Sequence, residues 1–68
     1  MKAKDVIRCL NKLGFFEVRR KGSHVVLQNI DGSITVVPSH PGEDIGRGLL
    51  RAILREANIT PEDFLKHY

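Results

Sequence analysis

The sequence is poor in cysteine, in aromatic residues and in long hydrophobic runs, and these shortages exclude several classes of protein. A single cysteine, Cys9, rules out an internal disulfide framework and the zinc fingers that need several cysteines. No apolar run approaches the roughly 18 residues of a membrane-spanning helix. Charged residues interrupt the N-terminal segment 1–8 too early for a signal peptide, so the sequence predicts a cytoplasmic protein with no membrane partner.

The length of 68 residues limits the chain to a single domain, residues 1–68, with one small core. Rossmann and TIM-barrel folds need a much longer chain and are excluded. The composition, 41% hydrophobic and 28% charged residues, is typical of a globular protein rather than a disordered one.

The charge is unevenly distributed along the chain, although the formal net charge is only +3. Residues 1–29 hold seven Lys and Arg against two Asp and Glu, whereas residues 30–68 hold four against six. A basic half on a small protein favours a polyanionic partner such as nucleic acid. A basic surface that serves only solubility explains the same counts, so charge alone leaves both interpretations open.

Hydrophobic periodicity predicts the order α-β-β-β-α, followed by a short third helix. Apolar stripes predict helices, and alternating or β-branched runs predict strands; the expected ranges are helices 3–13 and 47–57 and strands 16–21, 24–29 and 33–37. Gly14 is expected to end the first helix, and Thr60 to cap a third helix that opens with Pro61. Short connections indicate a three-stranded antiparallel sheet with the helices on one face, an α+β fold.

Strict alternation assigns the strand side chains to the two faces of this sheet. On the helix-covered face we expect Phe16, Val18, Val25, Leu27, Ile34 and Val36. On the open face we expect Glu17, Arg19, Lys21, His24, Val26, Gln28, Thr35 and Val37. A shift of one residue would exchange the two sets within a strand.

Most patterns known from metal binding and catalysis are missing. His24, His40 and a carboxylate of Glu43 or Asp44 could supply metal ligands, but no His pair has helical spacing, so no metal site is predicted. Cys9 has no histidine near it in the sequence and is expected to pack in the core. No glycine-rich phosphate-binding loop is present, and no cofactor is predicted.

One segment, Arg19-Arg20-Lys21-Gly22-Ser23-His24, leads three cations into a turn that ends in a histidine. An imidazole titrates near neutral pH, and cations beside it attract phosphate and stabilise negative charge that develops there. Gly22 and Ser23 would support the turn and allow close approach of a phosphate oxygen. His24 is thus a candidate acid–base residue for RNA cleavage, in which the 2′-hydroxyl is the nucleophile; an ordinary turn histidine is the alternative.

In their order along the chain, several motifs resemble the HicA family of bacterial and archaeal type II toxins. They are Leu13-Gly14-Phe15, Lys21-Gly22-Ser23-His24, Asp31-Gly32, Thr35-Val36-Val37-Pro38-Ser39-His40, the second-helix pattern 48–54 and the tail 59–65. The resemblance implies a fold like a double-stranded-RNA-binding domain and a ribosome-independent endoribonuclease that cleaves mRNA. It also implies that His24 is catalytic, that no cofactor is used, and that a HicB-type antitoxin covers the active site.

One position departs from the family pattern. The second helix of the family usually opens with Gly-Thr-Leu, and here Leu49 follows Gly48 in place of the threonine. If that hydroxyl capped the helix, its loss costs about 1 kcal/mol.

The sequence therefore predicts a metal-independent ribonuclease toxin in which His24 moves protons. The residues expected to bind RNA are Arg19, Arg20, Lys21 and His40, and His40 is also the candidate for a second acid–base group. A non-catalytic RNA-binding module and a protein-interaction domain are the alternative functions, because a fold does not fix a function.

Overall fold

The computed structural model describes residues 1–68 and contains the predicted elements in the predicted order. The helices are α1 (Ala3–Lys12), α2 (Arg47–Ala57) and α3 (Pro61–Lys66), and the strands are β1 (Phe15–Lys21), β2 (His24–Asn29) and β3 (Ile34–Pro38). The strands form one antiparallel sheet in the order β1-β2-β3. The predicted α+β fold is confirmed, and this layout is compatible with a double-stranded-RNA-binding-domain-like fold. None of the helices is both long enough and apolar enough to span a bilayer.

Local sequence signals begin and end the helices, as predicted for Gly14, Thr60 and Pro61. Gly14, after α1, has φ 97, and Asn58, after α2, has φ 59; both are left-handed conformations that let the chain leave the helix. Thr60 Oγ1 accepts a hydrogen bond of 3.1 Å from the backbone N–H of Asp63, and Pro61 occupies the first position of α3.

The core lies between the helices and one face of the sheet. It is a cluster of 13 buried hydrophobic residues that includes Val6 and Leu10 of α1, Val25, Leu27 and Val37 of the sheet, Ile53 and Leu54 of α2, and Phe64 of α3. Cys9 belongs to this cluster, and its thiol donates a hydrogen bond of 3.2 Å to the Phe64 carbonyl oxygen. Burial raises the pKa of the Cys9 thiol. Cys9 is therefore a packed core residue, as predicted.

Strand β1 contains a β-bulge that the sequence did not indicate. Glu17 is paired with Leu27 and Arg19 with Val26, so Val18 has no partner of its own in β2. A bulge inserts one extra residue into a strand and thereby interrupts the alternation of its side chains. The residues before Val18 consequently alternate in the opposite phase to those after it.

This interruption corrects the predicted face assignment at the start of β1. Phe15 is buried in the core, whereas Phe16 and Val18, which were expected there, are 64% and 56% exposed. Glu17 is paired with the buried Leu27 and therefore lies on the helix-covered side rather than on the open face.

The predicted face assignment of β3 is also wrong, by one residue along the whole strand. Thr35 and Val37 are fully buried, whereas Ile34 is 49% exposed and Val36 is half-buried. The Thr35 hydroxyl tolerates burial because it donates to the Ile53 carbonyl oxygen at 2.9 Å. In β2 the assignment is confirmed: Val25 and Leu27 face the helices, and their neighbours His24, Val26 and Gln28 face away from them.

The loop between β3 and α2 is tied to the N-terminus of the chain. Lys2 and Asp44 form an isolated antiparallel bridge, and Lys2 Nζ lies 3.1 Å from Asp44 Oδ1. The hydrogen bond and charge of Lys2, with the charge of the N-terminal amino group, lower the pKa of Asp44. Ile45, the next residue, is buried in the core. The pairing of Lys2 with Asp44 and the burial of Ile45 restrain the loop that carries His40.

Candidate RNA-binding face

The segment Lys21-Gly22-Ser23-His24 forms a two-residue hairpin turn between β1 and β2. Lys21 and His24 are paired directly across the two strands. Gly22 has φ 58, and a glycine with positive φ at the first turn position is what a type II′ turn requires. The turn therefore holds the side chains of Lys21 and His24 beside each other on one side of the sheet.

His24 is exposed, and its imidazole is free of intramolecular hydrogen bonds. The ring of His40 lies within hydrogen-bond distance of Ser23, and the ring of His67 within that of the Asp63 carbonyl, but no such contact involves His24. Both ring nitrogens of His24 are therefore available to a ligand, as a general acid–base group requires.

Three rows of paired side chains cross the side of the sheet that faces away from the helices, which we call the open sheet face. The rows are Lys21–His24–Pro38, Arg19–Val26–Val36 and Phe16–Gln28–Ile34. Paired side chains in neighbouring strands have Cβ atoms about 5 Å apart, so Lys21 is a direct neighbour of His24 and Arg19 lies in the next row. None of these nine residues is acidic.

The structure separates the three cations that precede the turn. Arg19 and Lys21 lie on the open sheet face with His24, but Arg20 is paired with the buried Val25 and lies on the other side. There the Arg20 guanidinium contacts the Glu17 carboxylate, with Nη2 to Oε1 at 3.2 Å. This ion pair depends on the bulge, which brings positions 17 and 20 to the same side of the sheet.

His40, far from the turn in sequence, is brought to it by the end of β3. The Ser39 N–H donates to the Ser23 carbonyl oxygen at 2.6 Å, which continues the β2–β3 pairing past Pro38. His40 Nε2 then lies 3.3 Å from Ser23 Oγ. The sequence predicted His40 as an RNA-binding residue, but no motif indicated its contact with Ser23.

An open groove of about 330 Å³ lies beside His40, between the start of α1 and the loop after β3. Its lining residues are Lys2, Ala3, Lys4, Ser39, His40, Pro41, Gly42 and Glu43. Lys2 is already engaged there, because its Nζ donates to the Gly42 carbonyl oxygen at 3.2 Å and pairs with Asp44. The groove has mixed charge, and no sequence motif marked Lys2 or Lys4 as part of it.

The potential metal ligands are not gathered into a site. No group of three or more His, Cys, Asp or Glu side chains lies close enough together to hold a metal ion. Asp44, one of the potential ligands in the sequence, is paired with Lys2 instead.

Leu49, the departure from the family pattern, is not at a capping position. The cap of α2 is Gly46, and Leu49 is the third residue of the helix, so a threonine there would not be the N-cap residue. Leu49 is 42% exposed and lines a cavity of about 50 Å³ together with Pro38 and His40.

The candidate site of this α+β domain is thus an exposed His24 beside Lys21, with Arg19 in the next row and no carboxylate among the paired residues of the open sheet face. In sequence comparison, the family described as HicA toxin of bacterial toxin-antitoxin matches residues 3–59. The chain belongs to the HicA toxin family, and it is therefore a toxin of a toxin–antitoxin system, for which an antitoxin partner is implied. Comparison with curated proteins gives no significant match.

Proposed function

We propose that this toxin is an endoribonuclease that cleaves mRNA by metal-independent acid–base catalysis at His24. The observation that carries the proposal is the exposed His24 imidazole, free of intramolecular hydrogen bonds and paired with Lys21 across the hairpin turn. Family membership supports it, because the matched region contains the whole hairpin.

RNA supplies its own nucleophile, so the protein has only to move protons and stabilise charge. His24 removes the proton of a 2′-hydroxyl, the 2′-oxygen attacks the adjacent phosphorus, and the bond from phosphorus to the 5′-oxygen breaks. The products are a 2′,3′-cyclic phosphate and a 5′-hydroxyl, whose proton comes from an acid. That acid is either His24 itself, once it has taken up the proton of the 2′-hydroxyl, or a second acid–base group, for which His40 is the candidate.

Lys21 and Arg19 have a different role, because their charges do not change during the reaction. Both lie on the open sheet face with His24, Lys21 directly beside it. Fixed positive charges beside His24 stabilise the negative charge that builds up on the phosphate oxygens in the transition state. Gly22 and Ser23 keep the turn in shape, and a HicB-type antitoxin inhibits the toxin by covering His24.

The test is incubation of the purified protein with unstructured RNA in EDTA, followed by analysis of the cut ends. We expect the wild type to cleave and to leave cyclic phosphates, and His24→Ala to lose cleavage by at least about 100-fold, as for loss of a general acid–base group. His67→Ala is the matched control, because His67 is also exposed but lies at the end of α3.

Equal cleavage by the wild type and His24→Ala would contradict the mechanism, as would 5′-phosphate ends, which a metal-dependent nuclease leaves. Salt-dependent RNA binding without any cleavage would instead support the non-catalytic RNA-binding module.

A further inference from the structure

The open sheet face is apolar at the end opposite His24. Phe16 is 64% exposed, Val18 56% and Ile34 49%, and all three lie at or beside the row furthest from the hairpin turn. Between this row and His24 lies the row of Arg19, which joins the apolar end to the cationic end. A group of exposed apolar side chains on one side of a small protein is typical of a binding surface.

We propose that the open sheet face binds single-stranded RNA, with a base stacked on Phe16 and the phosphates following Arg19 and Lys21 towards His24. This rests on the proposed function in one respect, that the scissile phosphate lies at His24. The sheet thereby adds a base-binding position, Phe16, to the proposed nuclease.

Charge favours RNA as the occupant. The chain has eight Asp and Glu residues, and the three rows of the open sheet face contain none of them. The same rows contain Arg19, Lys21 and His24. A polyanion can therefore lie along the whole face without meeting a carboxylate.

The spacing of the rows suits an extended strand of RNA. His24 and Gln28 are four residues apart in β2, which corresponds to about 13 Å along the strand. That distance gives room for a short stretch of extended RNA between the base on Phe16 and the phosphate at His24. Gln28 lies beside Phe16 in the same row, where its amide can hydrogen-bond the edge of a stacked base.

An unpaired strand fits this face better than a duplex does. The bases of an A-form helix are stacked inside it, so an exposed phenyl ring on a flat sheet has no base face to contact. Single-stranded RNA exposes its bases, and stacking of bases on aromatic side chains is the usual way in which sheets bind it.

Binding can be measured separately from cleavage with a probe that lacks the nucleophile. We suggest fluorescence anisotropy with a fluorescein-labelled, fully 2′-O-methylated oligouridine of about 12 nucleotides, long enough for a sheet-sized site. Phe16→Ala should weaken binding about 5- to 150-fold, the range found for loss of one base–aromatic stack, and Phe16→Tyr should restore it. The salt dependence of Phe16→Ala should stay unchanged, because stacking releases no counterions.

Leu65→Ala is the matched control, because Leu65 is also 64% exposed but lies on α3. Equal affinities of Phe16→Ala and Leu65→Ala would overturn the proposal, as would equal binding of single-stranded and duplex RNA. Loss of antitoxin binding by Phe16→Ala with unchanged RNA affinity would assign the face to a protein partner and overturn it too. Binding that needs Phe16, by a protein that does not cleave RNA, would support this inference while contradicting the proposed function.

Discussion

Ser23 and His40 are 17 positions apart in the sequence, and their side chains meet, with Oγ 3.3 Å from Nε2. The contact connects the residue next to His24 with the loop that follows β3. His40 is consequently held at the proposed active site by the turn itself.

A double-mutant cycle tests this connection. If His40 binds RNA in a position set by Ser23, Ser23→Ala and His40→Ala should each raise KM about 3- to 10-fold, the equivalent of one hydrogen bond of about 1 kcal/mol. The double variant should be little worse than either single variant, because both changes remove the same contact. The pH profile of kcat should stay that of the wild type. Loss of one limb of that profile in His40→Ala, with both limbs kept in Ser23→Ala, would make His40 a proton donor or acceptor.

Adjacent arginines provide a matched test of which side of the sheet binds RNA. Arg19→Ala should weaken binding of the 2′-O-methylated probe and reduce the slope of log affinity against log salt by about 0.7, the value for one phosphate contact on a single strand. Arg20→Ala removes the same charge, but Arg20 lies on the other side, against Glu17. We expect its slope to match that of the wild type. Equal losses of slope in both variants would show that RNA does not distinguish the two sides.

Thr35 is the only buried polar residue, and its hydroxyl joins β3 to α2 through the Ile53 carbonyl oxygen. Thr35→Val keeps the shape and removes this hydrogen bond, so the free energy of unfolding should fall by about 1 kcal/mol in urea titrations. Ile34→Val, a change at the half-exposed neighbour, should cost less than about 0.5 kcal/mol. A Thr35→Val variant as stable as the wild type would mean that the hydroxyl contributes nothing net.

The ion pair between Lys2 and Asp44 should make stability depend on pH in the acid range. The pKa of Asp44 lies below its ordinary value of 3.8 in the folded protein. The unfolded state therefore binds the proton more readily, so the stabilisation is complete above pH 3.8 and is lost as pH falls through the lower, folded pKa. Urea midpoints from about pH 5 down to about pH 2 should fall less steeply in Asp44→Asn than in the wild type.

Glu43→Gln is the control for this measurement, because Glu43 is the neighbouring exposed carboxylate and forms no ion pair. Its acid profile should follow that of the wild type. High salt should reduce the difference between Asp44→Asn and the wild type, since Asp44 is exposed and its ion pairs are screened. Identical acid profiles of Asp44→Asn and the wild type would contradict the assigned role of Lys2.

Local signals explain why so much of the fold was predictable. The bounds of α2 and β2 agree with the predicted ranges, and Thr60 caps α3 as expected. Each of these features depends on residues a few positions apart, such as an apolar stripe or a side chain that reaches a nearby N–H. The hairpin with His24 was predictable for the same reason, because its glycine and its length are local properties.

The errors lie where distant residues decide. Phe15 and Phe16 are adjacent and equally hydrophobic, so the sequence offers no local reason for only Phe15 to be buried. The bulge at Val18 arises from how β1 pairs with β2, and the burial of Thr35 from a partner on α2. A period-2 pattern contains no information about a bulge. The bulge reverses the face assignment on one side of itself, here that of the residues before Arg19.

The sequence by itself determined the order of the elements, the helix ends, the hairpin turn with His24 and the membership of a toxin family, because short-range chemistry and motif order are sufficient for these. Only the tertiary structure decided which side of the sheet each cation faces, that Phe16 lies on the open sheet face, and that His40 meets Ser23. Strand pairing and packing set these positions, and both depend on contacts between residues far apart in the chain.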